Sequence, residues 1–222
     1  MNKYYFLLLL LLLGESESLI FPRLSLFKFQ VSEISEYLTI IRNVSFNHKY
    51  HGELAKIQPS FPHSYKYLNS SIIIGKDFAI FEKATDLILN FRITNYLKWA
   101  QIVFLPTQSL SVGSDIATLV KCYNIIWALN PCRIVSYDRE KCLDKNIICS
   151  QVIFSTLFGH LISGEECFRV QYNKLSGDVT YSMSSYSKGC GLLGSLAMPF
   201  IRPIQRKFFR DNNLAICSLL KY

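Results

Sequence analysis

The run "ECFRVQYNKLSGDVTYSMSS", Glu166 to Ser185, decides how this chain folds. Glu166 to Tyr172 and Val179 to Ser185 alternate bulky and polar residues, the period of a β-strand with one face buried. Between them, Lys174 to Asp178 is a turn carrying Gly177. A symmetric hairpin puts Phe168 opposite Met183, Val170 opposite Tyr181 and Tyr172 opposite Val179. Glu166 shares that inward face and falls opposite Ser185. Glu165 takes the other face with Cys167 and Arg169, so its removal is expected to matter little.

Working outward, "STLFGHLISGEECF" (Ser155 to Phe168) reads as the preceding hairpin, with a loop from Phe158 to Gly164. The same reasoning sets Thr156 opposite Glu166 and Phe154 opposite Phe168. An inward carboxyl must be hydrogen-bonded or neutral, and Thr156 and Ser185 are the expected partners of Glu166. The stripe Phe154, Phe168, Val170, Tyr181 and Met183, ending in Thr156, Glu166 and Ser185 with His160 near the mouth, is the candidate wall of a ligand cavity. Glu166 and His160 are also the candidate pair for acid/base chemistry, although no nucleophile or metal motif accompanies them, and no residue is assigned a catalytic role.

Farther out, Ser71 to Ile74 is strand-like. Asp77 is placed to cap a helix carrying Phe78, Phe81, Thr85 and Ile88, running to about Phe91. Trp99 to Phe104 is a strand stopped by Pro106. Ile116 to Cys122 and Tyr123 to Leu129 form one long strand or a bent pair, which Asn130-Pro131 is expected to break. Arg133 to Tyr137 and Ile147 to Thr156 follow. The chain closes with Ile201, Ile204, Phe208, Ala215, Leu219 and Tyr222 near one helical face, the main helix beginning near Pro203. This order is α+β, with a curved antiparallel sheet wrapped around a long C-terminal helix.

The 222 residues are half hydrophobic and 14% aromatic, enough for a packed core, and the formal charge is +8. After Met198, Arg202, Arg206, Lys207, Arg210 and Lys221 face Asp211 alone. Arg202, Arg206, Lys207 and Arg210 are the candidate contacts to an anionic membrane surface or a protein partner. No nucleic-acid motif is present, and no spacing calls for a metal or cofactor. The opening "MNKYYFLLLLLLLGESES" has the layout of a secretory signal peptide or short anchor over residues 1–18. That layout sends the chain to the secretory pathway, to an organelle reached through it, or to a membrane. Residues 19–45 fit no clear pattern, and 46–222 form one domain. Seven cysteines without zinc spacing read as buried free thiols or, in an oxidising compartment, as partly paired, and spacing alone assigns no partners.

Four further segments occur in order: "WALNPCRIV" (Trp127 to Val135), "FSTLFGHLISGEECF" (Phe154 to Phe168), "SYSK" (Ser185 to Lys188) and "QRKFFRDNNLAI" (Gln205 to Ile216). With "FNHKYHGEL" from Phe46 and "IGKDFAIFEKATDLIL" from Ile74, they resemble the DUF1990 (UPF0548-like) family of uncharacterised proteins. The sequence departs from that pattern at Phe158, at Lys188-Gly189 and near Phe91. The resemblance implies a helix-grip fold similar to Bet v 1 and START-like proteins, and with it a bound hydrophobic small molecule or lipid. It implies no catalytic residue.

Overall fold

The computed structural model describes residues 23–56 and 58–221. The leader 1–18 and Tyr222 lie outside the described residues. In chain order the elements are β1 (Arg23–Ser25), α1 (Val31–Ile40), β2 (Lys66–Lys76), α2 (Phe78–Leu89), α3 (Arg92–Tyr96), β3 (Ala100–Val103), β4 (Asp115–Cys122), β5 (Ile126–Cys142), β6 (Ile147–Thr156), β7 (Ile162–Asn173), β8 (Asp178–Gly189) and α4 (Gly191–Leu220). All strand pairs are antiparallel, in the order β2-β8-β7-β6-β5-β4-β3, and β1 adds to β5. The long helix α4 packs on this sheet, the helix-grip arrangement.

The β7–β8 register is the expected one: Phe168 pairs with Met183, Val170 with Tyr181, Tyr172 with Val179 and Glu166 with Ser185. The β6–β7 register differs by two residues. Phe154, not Thr156, pairs with Glu166, and Val152 pairs with Phe168. A shift of two keeps every side chain on its face, because the side-chain period is two. Thr156 sets this register. Its hydroxyl accepts the Gly164 amide at 3.0 Å, so the loop closes one residue earlier than its composition suggests.

Asn130-Pro131 does not break a strand. Both lie inside β5, paired with Thr118 and Ala117. The Pro131 carbonyl accepts Leu157 N–H, so its nitrogen faces the point where β6 ends. The Leu157 carbonyl, which would otherwise want a donor there, accepts His160 N–H at 3.1 Å. The proline therefore removes no bond from the ladder.

Two helix boundaries also differ. Asp77 makes no side-chain cap; its φ is 83°, and its N–H donates to the Gly177 carbonyl in the β7–β8 turn. Helix α4 begins at Gly191 and runs through Pro199 and Pro203. Those prolines free the carbonyls of Ser195 and Pro199. Both residues are exposed, so water can take the bonds.

The main core fills the space between sheet, α2 and the second half of α4 with Phe81, Ile88, Phe91, Phe168, Tyr181 and Met183, each at most 1% exposed. A second cluster covers the outer sheet face. There Tyr37, Leu38 and Ile41 of the α1 region bury against Leu119, Trp127 and Leu129.

Helix α4 is seated by close backbone contact at its start. Cys190 N–H donates to the Leu161 carbonyl at 2.9 Å. A Cβ on Gly194 would lie 2.2 Å from that same oxygen. Gly194→Ala must therefore push the helix off the β6–β7 loop. We expect a loss of about 2 kcal/mol or more by chemical denaturation. Ser195→Ala, one residue on and exposed, should be near neutral.

Candidate functional site

A cavity of about 140 Å³ lies between the β3–β4 side of the sheet, the β6–β7 loop and α4. The apolar wall comes from Trp99, Ile102, Val120 and Ala128 on the sheet and from Ile201, Ile204 and Phe208 on the helix. Of the sequence candidates, Phe154, Thr156, His160, Glu166 and Ser185 line it. Phe168, Val170, Tyr181 and Met183 do not. They share the inward face but sit in the solid core, where α2, α3 and the second half of α4 close on the sheet. The cavity is thus confined to the end of the stripe where Glu166 stands. The β3–β4 wall was not among the expected residues, since strand alternation says which face points inward but not where the helix leaves a gap.

The polar groups at that end are poorly served by the protein itself. Glu166 Oε1 and Ser185 Oγ are buried with no hydrogen-bond partner, as is the Tyr181 hydroxyl. The expected row does not satisfy the carboxyl, because Thr156 is committed elsewhere. Its hydroxyl donates to Asn47 Oδ1 at 2.7 Å and accepts the Gly164 amide. Burial pushes the Glu166 carboxyl up to about 8, so it is protonated at neutral pH. His160 is held by its Nδ1, which accepts the Ile162 N–H at 3.1 Å, leaving the proton on Nε2. Burial lowers this imidazole to about 3. Among the described residues no lysine or arginine lines the cavity. At neutral pH, its Glu166–His160 pole is uncharged and rich in donors.

Glu165 corrects an expectation. Its face is not open but covered by residues 46–65. The carboxylate accepts Gly52 N–H, and Leu54 N–H at 3.1 Å, fixing the turn at Gly52–Ala55. Burial raises it to about 7 against the pull of those amides. Beside it, His48 Nδ1 accepts Tyr50 N–H, so Nε2 carries the proton and meets Ser155 Oγ at 2.8 Å and the Gly164 carbonyl at 3.1 Å. A donor nitrogen cannot serve as base to that serine, so the pair is a clamp rather than a nucleophile site.

The basic candidates separate. Arg202 turns back to β8, donating to Ser187 Oγ and, at 2.6 Å, to the Ser187 carbonyl. Lys207 pairs with Asp211 and lies 3.8 Å above the Trp99 ring, whose Nε1–H also donates to Asp211 at 3.0 Å. Burial works against the Asp211 charge, yet these bonds hold its carboxyl below the usual range. Arg206 and Arg210 are exposed, Arg210 within 3.3 Å of Asp211.

The model of the DUF1990 domain of unknown function matches residues 49–213. The chain belongs to the DUF1990 family. A UPF0548 protein of Arabidopsis thaliana is 25% identical over 148 residues, 67% of this chain and 70% of the relative. Among solved structures, Ara h 8.0201 aligns with a TM-score of 0.48 at 11% identity, covering 71% of this chain and 99% of that one. Major latex-like protein 151 of Panax ginseng aligns at 0.45 and 16%, covering 69% and 96%. At such scores and identities the likeness says nothing of ligand or activity. The family match begins at Lys49 and so includes the Gly52–Ala55 turn that Glu165 holds.

Two outcomes follow from the carboxyls of this DUF1990 domain. Glu165→Ala strands two backbone donors, and we expect a loss of about 1–3 kcal/mol together with faster hydrogen exchange over residues 46–56. For Glu166, the folded carboxyl near 8 lies above its ordinary 4.5, so the fold favours the neutral acid. That contribution is fully present below about 4.5 and is lost as pH rises through 8. Glu166→Gln cannot ionise. Its melting temperature should lie close to the wild type near pH 4.5 and exceed it near pH 9. His160 has the opposite sign, losing stability as pH falls below 6.5, but both proteins share it and it cancels in the comparison.

Proposed function

We propose that this protein binds a small, uncharged, mostly apolar molecule in the cavity, with a hydroxyl or carbonyl of the guest meeting the pole formed by His160, Glu166 and Ser185. The observation that carries this is the pair Glu166 Oε1 and Ser185 Oγ, buried without a hydrogen-bond partner among the described residues at the end of an apolar cavity. A buried polar group left unpaired costs free energy, and a guest that supplies the missing bond recovers it. The volume is of the order that admits a benzene-sized ring. With no basic residue in the lining, an anionic guest would find no counter-charge.

The test uses phenol, a neutral one-ring guest with a hydroxyl for the pole, followed by isothermal titration calorimetry. Saturable uptake is expected with the wild type. Its affinity should fall at least tenfold with Val120→Trp, which fills the cavity from β4, and stay unchanged with Leu175→Ser in the distant β7–β8 turn. Undiminished uptake by a folded Val120→Trp protein would overturn the reading. Native mass spectrometry of gently purified protein should show a small neutral adduct that Val120→Trp lacks.

A second reading has one observation in its favour: Glu166, a proton donor at neutral pH, shares the cavity with His160. The same pole would then donate a proton to a bound substrate. Glu166→Gln separates the two, since a binder keeps its guest while a catalyst loses turnover.

A further inference from the structure

The first three turns of α4 present a face that stays exposed among the described residues. Gly194 and Ala197 are buried against the β6–β7 loop side, while Leu192, Leu193 and Leu196 are 77%, 40% and 55% exposed. Two further apolar residues lie at the same end. Leu26 and Phe27, 65% and 80% exposed, follow directly on β1. Leu24 of β1 packs in one cluster with Ala197, Phe200 and Ile201 of α4, which places them beside the helix. Tyr123, 40% exposed in the β4–β5 turn, donates its hydroxyl to the Phe200 carbonyl.

Cations border this patch. Along the outward side of α4 the leucines give way, after Pro199 and Pro203, to exposed Arg206, Lys207 and Arg210. The step from Leu196 to Arg206 is about 15 Å along the helix axis. On the strand side Lys28 and Lys121 both sit over the Trp127 ring, at 5.5 and 5.8 Å. Asp211 is the acid among the α4 cations, and the chain as a whole carries +8. Among the described residues no helix is long and apolar enough to cross a membrane. Exposed apolar side chains bordered by lysine and arginine are the pattern of a face that lies in the headgroup boundary of an anionic bilayer.

Where the chain enters the domain points the same way. The apolar run Tyr4 to Leu13 is joined by nine residues to Arg23, where β1 begins beside the patch. Nine residues span at most about 30 Å. A leader held at a membrane would therefore bring this end of the domain to the surface first.

We propose that the α4 leucines, with Leu26 and Phe27, form a docking face for anionic phospholipid bilayers, and that Arg206 and Arg210 contact the headgroups. The face is also a cavity wall. Cys122, Leu161 and Ile201 line the cavity on one side and belong to the cluster beneath the patch on the other. Docking thus sets the cavity against the bilayer, although the docking itself does not depend on whether the cavity binds a guest.

The test is photo-crosslinking of the full chain, with a benzophenone amino acid in place of Leu196 or, as control, of Leu175. Leu175 is exposed in the β7–β8 turn, on the order of 35 Å away along β8. Each protein is irradiated with vesicles of phosphatidylcholine, with or without phosphatidylserine. Lipid adducts several-fold more abundant from position 196 are expected, increased by phosphatidylserine and reduced by Arg206→Glu with Arg210→Glu. Equal yields at both positions would mean that the leader alone holds the chain on vesicles, and would overturn the proposal. So would adducts from position 196 to a second copy, or to residues 1–22 of the same chain, in place of lipid. Phenol binding by the same proteins reports on the cavity separately.

Discussion

One backbone contact governs the rest of the structure: the Leu161 carbonyl, met by Cys190 N–H and approached by the bare Cα of Gly194. It decides where α4 leaves the sheet and at what height it crosses. At its far end α4 is drawn onto the sheet by Phe209, Ala215 and Ile216, and the core there is solid. At the near end the helix rests on a loop instead, and the space between Ile201–Phe208 and β3–β4 stays open. A helix supported at two heights leaves a cavity at one end only. The same tilt turns Leu192, Leu193 and Leu196 to the outside.

The loop can bear the helix because it is itself fixed from the outer face. Thr156 binds the Gly164 amide, His48 reaches Ser155 and the Gly164 carbonyl, and Asn47 donates to the Ile162 carbonyl at 2.9 Å. The His48 and Asn47 bonds join the segment before β2 to the β6–β7 hairpin, and the Thr156 bond closes that hairpin on itself. Glu165 closes the set by holding the turn at Gly52 and Leu54. The two adjacent glutamates therefore do different work on opposite faces. Glu165 binds the cover to the sheet, while Glu166 is left inside with an oxygen that nothing among the described residues satisfies. Buried polar groups in a folded protein are nearly always paired, and among the described residues Glu166 Oε1 and Ser185 Oγ are the two unpaired atoms whose residues line the cavity.

Much of this was legible from the chain. Alternation in Glu166–Ser185 sufficed for the β7–β8 register, because one buried face and a short turn leave a single pairing that keeps bulky residues together. The inward direction of Glu166 followed from the same pattern. Less local features were not legible. Pro131 reads as a strand breaker, and its tolerance depends on β6 ending at the one position where the missing N–H would have been used. Pro203 reads as a helix start, yet α4 passes through it because the freed carbonyl belongs to an exposed residue. Glu165 reads as a surface acid until residues 46–65 are folded over it. Arg202 reads as part of a basic face, but the end of β8 supplies it with acceptors.

By itself, the sequence determined the class of fold, the pairing of its last hairpin, the face on which each residue of that hairpin lies and membership of the DUF1990 family. These depend on periodicity and short turns, which are local and survive in one dimension. Only the tertiary structure decided which part of the inward stripe is core and which is cavity, which glutamate is satisfied, and which part of α4 stays exposed among the described residues. Those outcomes depend on the height at which a helix crosses a sheet. That height is set by a carbonyl at Leu161 meeting a glycine thirty-three residues later, and no periodic pattern records it.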